Sequence, residues 1–300
     1  MRNLIVLAVV GLFAQLVDGS LGMAYGVTSS SLLLATGIAP AAASAAVHLS
    51  EVGTTLVSGA AHWRFGNVDW RVVGIMAVPG GIFAFLGATL LSNLPGDEAK
   101  PWVSLLLLSL GVYVVYRFLR LGGRRPTFRG RVKARFLVPV AAVAGAMDAI
   151  GGGGWGPVGT SSLLAWGRIE PRKVVGSIDT AEFVVAVGAS VGFLLALGSS
   201  GVDFAWVLAL LAGGVVAAPI AAYLVRHMPA RILGTAAGGL IVITNVKTVL
   251  ESSLIGLEKD SFMVWSIVGL LAVIWVSLIV TAVQAERVAR QANDPVATPV

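Results

Sequence analysis

The stretch Asp18-Gly19-Ser20-Leu21-Gly22 interrupts an apolar region near the start of the chain, and Asp148-Ala149-Ile150-Gly151-Gly152-Gly153-Gly154 interrupts a second one. A helix that crosses a membrane needs about 20 apolar residues, and the runs beside these stretches are shorter than that. We therefore predict two re-entrant helical hairpins, each with its glycine-rich tip inside the membrane. Two full crossings bent at glycine are the alternative. The four runs are residues 3–17 and 25–38 in the first pair and 136–150 and 156–167 in the second.

The two interrupted regions belong to an internal repeat. A shift of 130 residues superimposes the tips, and a shift of 131 residues superimposes the helices that follow them. Two glycine tips, a helix-starting proline and a mid-helix glutamate agree at once, which indicates a duplication, a build that is common among secondary transporters. The matched residues are Asp18 with Asp148, Gly22 with Gly152, Gly26 with Gly156, Gly37 with Gly167, Pro40 with Pro171, His48 with Asp179 and Glu51 with Glu182.

The overall composition is that of an integral membrane protein. Hydrophobic residues make up 57% of the 300 residues, charged residues make up 12%, and the mean hydropathy is +0.89. A soluble domain carries about 25% charged residues, so this chain has too few to cover a water-exposed surface. Cysteine is absent, which excludes disulfides, thiolate metal sites and cysteine nucleophiles. The net charge of +6 does not indicate nucleic-acid binding, because basic residues cluster beside apolar segments.

Seven further segments are long enough to cross a membrane. We predict an all-α polytopic membrane protein made of two inverted repeats, each a re-entrant hairpin followed by three transmembrane helices, with one extra helix at the C-terminus. The expected units are a first repeat over 1–122, a basic cytoplasmic linker over 123–135, a second repeat over 136–255, and the extra helix with a cytoplasmic tail over 256–300. The seven segments are 40–62, 70–93, 99–119, 171–198, 203–225, 231–250 and 262–284.

The distribution of basic residues predicts the orientation of the chain. Eight of the 21 Lys and Arg residues lie between Arg117 and Arg135 with no acid among them, and such a loop is typically cytoplasmic. With that loop inside, the remaining basic clusters reach the same side. Because three crossings per repeat is an odd number, the second repeat must then be inverted relative to the first. We expect the N-terminus outside and the C-terminus in the cytoplasm.

Two glutamates are expected near the middle of the membrane. Glu51 and Glu182 each lie 11 residues after the proline that opens their helix, which is about 16 Å along its axis. His48 and Asp179 precede them by three residues and so share their helix faces. An ionisable residue at that depth costs at least about 2.5–3.5 kcal/mol on insertion scales, which favours a functional role. Because desolvation favours the neutral form of an acid, we predict proton coupling or gating by these four residues; a structural hydrogen-bonding role is the alternative.

The hairpin tips are candidate anion sites. The backbone N–H groups and the positive dipole end of each second arm can receive an anion without a basic side chain, and glycine lets the backbone approach it closely. Asp18 and Asp148 either cap these helix starts or line the site, with a proton-coupling or gating role. Hydroxyl groups can donate to oxyanions, although they also bond to their own helix backbone. The predicted substrate-binding residues are Gly19, Gly22, Thr28, Ser29, Ser30, Gly151, Gly152, Gly153, Trp155, Thr160 and Ser161.

The sequence does not indicate catalysis. The His-Leu-Ser-Glu stretch at 48–51 lacks the second histidine of a zinc helix motif, and the glycines at 151–154 lack the Gly-Lys-Ser/Thr of a phosphate-binding loop. Asp18 and Asp148 lie in glycine tips between short helices, which does not favour an intramembrane aspartic protease. We therefore predict that the protein is not an enzyme and needs no cofactor and no metal.

Motifs in both halves resemble those of one known family. In the first half these are the Val17–Gly26 stretch, Ser30-Ser31-Leu32-Leu33-Leu34, the helix that begins at Pro40, and His62-Trp63-Arg64-Phe65-Gly66-Asn67-Val68. In the second half they are the Asp148–Pro157 and Gly176–Glu182 stretches. Over nearly its whole length the chain resembles the sulfite exporter TauE/SafE family of membrane permeases. The resemblance implies that it moves sulfite, sulfonates or related sulfur-containing organic anions across the bacterial inner membrane.

The resulting hypothesis is a secondary transporter that exports sulfite or a small organosulfonate, coupled to protons, with two repeats that rock around a fixed central site. The expected partners are the anion, protons and the lipid bilayer, and no nucleic acid; a homo-oligomer is compatible with the sequence. Three alternatives stay open. The first is a passive anion channel or uniporter, the second is a membrane enzyme or sensor that binds an anion without moving it, and the third is a metal or sodium site made of the buried acids.

Overall fold

The computed structural model describes residues 2–23, 25–120, 132–166, 168–198, 201–224, 230–259 and 261–292. These residues form eleven α-helices and no strand, so the all-α prediction is confirmed. The helices are α1 (Arg2–Leu21), α2 (Tyr25–Ala35), α3 (Pro40–Arg64), α4 (Trp70–Ser92), α5 (Gly96–Leu119), α6 (Ala134–Gly151), α7 (Ser161–Trp166), α8 (Pro171–Leu197), α9 (Phe204–Leu224), α10 (Ala230–Leu250) and α11 (Phe262–Ala292).

Seven of the described helices contain a stretch that is long and apolar enough to cross a membrane, as a multi-pass membrane protein requires. α3 is not one of them although it has 25 residues, because many of its side chains are polar. It packs against α8 and α9, so most of these polar side chains are enclosed by other helices. The apolar stretches are Leu4–Leu21, Trp70–Ser92, Glu98–Leu119, Ala134–Gly151, Arg172–Leu197, Phe204–Leu224 and Phe262–Val288.

The first arm of each hairpin is longer than the sequence indicated. α1 has 20 residues and α6 has 18, and both are long enough to cross, so the prediction of short first arms at 3–17 and 136–150 is wrong. The second arms are short. α2 has 11 residues, which is about 16 Å of helix and roughly half of a hydrocarbon core. Each hairpin therefore joins one long helix to one half-length helix.

The connections between the arms are shorter than predicted. Asp18 to Leu21 and Asp148 to Gly151 continue the first helices instead of joining two arms. The helices end where Gly22 and Gly152 adopt positive φ angles of 68° and 67°. Glycine adopts this left-handed conformation without strain, and it commonly terminates helices. Each first helix therefore ends at the one glycine of its stretch that adopts a positive φ angle, Gly22 in the first half and Gly152 in the second.

The second arm of the second hairpin starts irregularly. Residues Gly156–Thr160 form a π-helical turn that leads into α7. Such turns often occur at functional sites. The predicted arm over 156–167 is therefore a short π-helical turn followed by a short α-helix, and Gly167 lies outside the described residues.

Helix packing is similar in the two halves. α1 packs along α9, where Gly11 lies against the Leu210 carbonyl group, and α6 packs along α4, where Gly145 lies against the Gly80 carbonyl group. α3 also packs on α9, and α8 on α4. At the predicted shift the counterparts are α1 and α6, α3 and α8, and α4 and α9. The contact of α1 with α9 therefore corresponds to that of α6 with α4, and the contact of α3 with α9 corresponds to that of α8 with α4. The tertiary contacts therefore repeat along with the sequence.

Two pairs of counterparts contact each other directly. α3 packs against α8, and α5 packs against α10. In the second pair Gly111 lies against Ile241 and Gly234 lies against Phe118, so α5 and α10 run antiparallel. α11 packs on α10, and most of its apolar surface is exposed, as expected for a helix in contact with lipid.

The predicted units remain predictions. Residues 121–131, which include most of the expected basic linker, and residues 293–300 of the expected cytoplasmic tail lie outside the described part of the chain. α11 follows the second set of helices as predicted for an extra helix.

Candidate functional site

The two hairpin tips lie face to face. Gly26 lies against the carbonyl oxygen of Gly152, and Gly153 lies against the backbone nitrogen of Val27. Gly156 is equally close to the backbone of Met23. A Cβ atom at any of these three glycines would collide with backbone of the other tip, so the contact requires glycine.

Two hydrogen bonds join the tips reciprocally. Ser30 Oγ donates to the carbonyl oxygen of Gly152 at 2.9 Å, and Thr160 Oγ1 donates to that of Gly22 at 2.5 Å. Ser30 and Thr160 are counterparts at the shift that superimposes Gly22 on Gly152. These predicted substrate contacts therefore have partners in the opposite hairpin in this conformation.

Asp148 caps the second arm of its own hairpin. Its Oδ1 atom accepts hydrogen bonds from the backbone nitrogens of Gly154 and Trp155 at 2.7 and 2.9 Å. Asp18 Oδ1 accepts one from Tyr25 at 3.4 Å in the first hairpin. The backbone N–H groups at the tips, which the sequence predicted to bind an anion, thus donate to carboxyl groups of the protein itself.

Asp148 also belongs to a buried group with His48 and Glu51, which we name the histidine cluster. His48 Nε2 lies 3.1 Å from Asp148 Oδ2 and 3.9 Å from Glu51 Oε2. His48 and Glu51 lie on one face of α3 as predicted, whereas Asp148 comes from the other half of the chain. Asp148 therefore caps the second arm and contacts His48 with the same carboxyl group, and its role in lining a substrate site stays a prediction.

The hydrogen bonds of His48 require a proton in this cluster. His48 Nδ1 lies 2.8 Å from the carbonyl oxygen of Ser44, which can only accept, so Nδ1 carries a hydrogen. The 3.1 Å contact between Nε2 and Asp148 Oδ2 then needs a second hydrogen. That hydrogen lies either on the imidazole or on the carboxyl group, so the pair holds one exchangeable proton.

Asp18, Asp179 and Glu182 form a second buried group, which we name the triple-acid cluster. One carboxyl oxygen from each lies within 4.8 Å of those from the other two. Every member corresponds to a member of the histidine cluster, and Asp179 is the counterpart of His48. All six residues of the two clusters are at most 5% exposed, so this conformation closes them off from solvent.

The remaining predicted residues are three hydroxyl residues, two glycines and Trp155. The hydroxyl groups of Thr28, Ser29 and Ser161 are buried, and within the described residues they have no hydrogen-bond partner. Gly19 packs against Ala221 of α9, and Gly151 packs against Leu106 of α5, so both lie away from the contact between the tips.

Trp155 is fully buried, and its Nε1 donates to the carbonyl oxygen of Ile178 at 2.9 Å. Gly80 of α4 lies against its ring. The side chain therefore fills the space between the second tip, α4 and α8 in this conformation.

Several residues beside the clusters were not singled out from the sequence. Ser44 Oγ donates to the carbonyl oxygen of Ala149 at 2.7 Å, and the hydroxyl group of Tyr25 lies 3.0 Å from Ser50 Oγ. His62 Nε2 donates to the carbonyl oxygen of Gly19 at 3.1 Å. Ser44 lies four residues before His48 on the same helix face, which is the one signal that could have identified it.

Comparison with known proteins agrees with this architecture. Residues 7–248 match the sulfite exporter TauE/SafE family. A protein of Bacillus subtilis (strain 168), named "Probable membrane transporter protein YtnM", is 52% identical over 254 residues, which cover 84% of each chain. No solved structure was found to match. With the family matched over most of its length, the chain belongs to the sulfite exporter TauE/SafE family and is a membrane transporter of that type.

Proposed function

We propose that this transporter exports sulfite or a small organosulfonate across the bacterial inner membrane, coupled to protons. The observation that supports this most directly is the position of Asp148. Its carboxyl group lies between the first N–H groups of the second hairpin arm and the ring of His48. One side chain therefore links a place where an anion can bind to a place where a proton is held. The outward direction follows the description of the family.

An anion and the Asp148 carboxylate compete for the same donors. The N–H groups of Gly154 and Trp155 are bonded to Asp148 in the closed conformation. A carboxylate accepts such hydrogen bonds more strongly than a neutral carboxylic acid does. Loss of this negative charge weakens the two hydrogen bonds, so that a substrate oxyanion can compete for the same donors. The buried hydroxyl groups of Thr28, Ser29 and Ser161 supply further donors.

The negative charge of the five acids in the two clusters also supports coupling of anion transport to protons. The two clusters contain five acids and one histidine. Two like charges about 4 Å apart repel by about 4 kcal/mol at an effective dielectric constant of 20. A sulfur oxyanion can enter only when most of this negative charge is compensated, and protons that bind before or together with the anion supply that compensation.

The arrangement of helices supports alternating access by two inverted repeats. α5 and α10 are counterparts that run antiparallel, and counterparts related by a two-fold axis in the membrane plane must do so. With the basic loop around 117–135 in the cytoplasm, this inversion places the N-terminus outside and the C-terminus inside. The repeats then rock about the tips, which open alternately to each side.

Anion flux into liposomes tests this function. The purified protein is reconstituted, and uptake of sulfite, thiosulfate and small organosulfonates is measured with and without a pH gradient. We expect faster uptake of at least one of these anions with the gradient, and accumulation against its concentration. A passive channel or uniporter would show flux without accumulation.

The variants Glu51→Gln and Glu182→Gln test the proton role separately. Both remove a buried acid at near-constant shape, and we expect each to abolish the effect of the gradient. Glu98→Gln, at an exposed position, is the matched control and should behave like the unmodified protein. Proton coupling would be refuted if the anion flux did not depend on the pH gradient and were unchanged in Glu51→Gln and Glu182→Gln.

A further inference from the structure

We propose that Asp18, Asp179 and Glu182 bind a hard cation of the size of sodium or calcium. This goes beyond the proposed transport of an anion with protons, because it adds a second kind of ion with its own ligands. The three residues come from α1 and α8, so the site joins the two halves of the chain.

The spacing of the carboxyl oxygens fits a single ion. One oxygen from each residue lies within 4.8 Å of the other two. Hard cations such as calcium bind oxygen ligands at about 2.3–2.6 Å, so two ligands of one ion are separated by at most about twice that distance. One cation can therefore contact all three side chains with little rearrangement.

Polar atoms beside the cluster have no partner within the described residues. Neither carboxyl oxygen of Asp179 makes a hydrogen bond of ordinary length and angle, and neither does Ser58 Oγ, although both residues are fully buried; Asp18 and Ser58 are the polar side chains beside the Asp179 carboxyl group. Ser58, from α3, faces the Asp179 carboxyl group. A buried polar atom without a partner destabilises the fold, and a bound cation would remove this cost for several oxygens at once.

The backbone of Gly19 lies close to Ser58 and to one more polar side chain. A Cβ atom there would lie 3.5 Å from Ser58 Oγ and 3.5 Å from the side-chain nitrogen of Gln15. The side chain of Gln15 is buried and, in the part of the chain described, also has no hydrogen-bond partner. If the amide group is turned so that its oxygen takes the place of the nitrogen, Gln15 offers a further neutral ligand, as side-chain amides do in calcium sites.

The histidine cluster provides an internal comparison. It lies at the equivalent position in the other half, but the imidazole of His48 replaces one carboxyl group. Nδ1 already carries a hydrogen, and a proton lies between Nε2 and Asp148, so only Glu51 of this cluster has carboxyl oxygens without a partner in the described part of the chain, and one side chain does not make a cation site. We therefore expect one cation per chain, at the triple-acid cluster.

Thermal unfolding of the purified protein in detergent tests the site without transport. The Tm is measured in choline, sodium, calcium and magnesium chlorides at equal ionic strength. A ligand of the folded state alone raises the Tm in a saturable way, and we expect a rise of several degrees in sodium or calcium when the ion exceeds its Kd about 100-fold. Comparison of the Tm in sodium chloride with that in calcium chloride identifies which of the two ions binds.

Four variants locate the ion. We expect Asp179→Asn to abolish the rise in Tm and Ser58→Ala to weaken the apparent affinity about tenfold. Asp148→Asn removes an acid from the other cluster and should keep the full rise. His48→Asp, which gives that cluster three acids, should enlarge the rise in Tm, because a second cation can then bind.

Equal Tm values in all four salts would refute the cation site. So would a response to magnesium alone, or a rise that persists in Asp179→Asn. If Asp179→Asn does not fold, an unchanged affinity in Ser58→Ala refutes the site instead. Because no flux is measured, failure of the cation site leaves the proposed anion transport untouched.

Discussion

The histidine cluster and the triple-acid cluster occupy equivalent positions and differ in one type of residue. Both combine a pair from one central helix with an aspartate from the opposite hairpin. In the first cluster His48 pairs with Asp148, whereas in the second Asp179 lies among other acids. A single difference, His48 in one cluster against Asp179 in the other, therefore separates a cluster that contains a base from one made of acids alone.

This difference lies within two halves whose helices otherwise pack alike. The tips retain matching contacts, as the bonds from Ser30 and Thr160 demonstrate. The difference is concentrated where ionisable groups meet, because burial makes the energetic cost of a charge depend strongly on its neighbours. Scaffold contacts and ionisable groups can thus be tested separately.

The largest expected effect comes from the tips. Gly26→Ala and Gly156→Ala are counterpart substitutions, and each places a methyl group against backbone of the opposite tip. Because backbone cannot move aside as a side chain can, we expect losses above the usual overpacking cost of about 1–3 kcal/mol, seen as loss of monodisperse protein in size-exclusion chromatography. Gly74→Ala, where nothing lies within 4 Å of the added atom, is the control. A large effect at one tip only would contradict their equivalence.

The next largest effect separates the two capping aspartates. Asp148→Asn loses a charge-assisted hydrogen bond to His48 worth about 1.5–3 kcal/mol, so we expect gradient-driven anion flux to fall about 10- to 100-fold. Asp18→Asn has no histidine partner and should reduce this flux less. Equal losses in the two variants, at equal amounts of folded protein in the liposomes, would show that the histidine gives its cluster no special role.

A smaller effect should follow when the clusters are made alike. Asp179→His replaces one of three neighbouring acids by a base that can pair with Asp18, as His48 pairs with Asp148. We expect about 1 kcal/mol of stabilisation in cation-free buffer, which corresponds to a rise in Tm of about 2–4 °C. A decrease in Tm would indicate that the acids of this cluster do not repel one another in the folded protein.

The smallest effect should be equal in the two halves. Ser30→Ala and Thr160→Val each remove one of the reciprocal hydrogen bonds between the tips. A typical buried hydrogen bond contributes about 0.5–1.5 kcal/mol, so a decrease in Tm of a few degrees is expected for each. Ser266→Ala, which removes only an exposed bond within α11, is a control that should leave the Tm unchanged. Unequal decreases in Tm would show that the two halves differ at the tips as well as in the two clusters.

Much of the fold could be predicted from local patterns. Apolar length identified five of the seven candidate spans, those in α4, α5, α8, α9 and α11, and the repeat at 130 and 131 residues identified the counterparts whose packing is now seen to match. The helical period placed His48 beside Glu51 and Asp179 beside Glu182. The length of the first arms was mistaken because a glycine-rich stretch does not reveal which glycine adopts the left-handed conformation that ends the helix.

The sequence by itself determined the class of protein, its helices and the acids that lie deep in the bundle, since each of these depends on residues close together in the chain. Only the tertiary structure decided that each aspartate joins the acids of the other half. His48 and Asp148 are 100 residues apart, and no periodicity of the chain connects them. Their contact exists because the glycine tips allow two hairpins to approach at backbone distance, and that approach depends on the packing of both halves together.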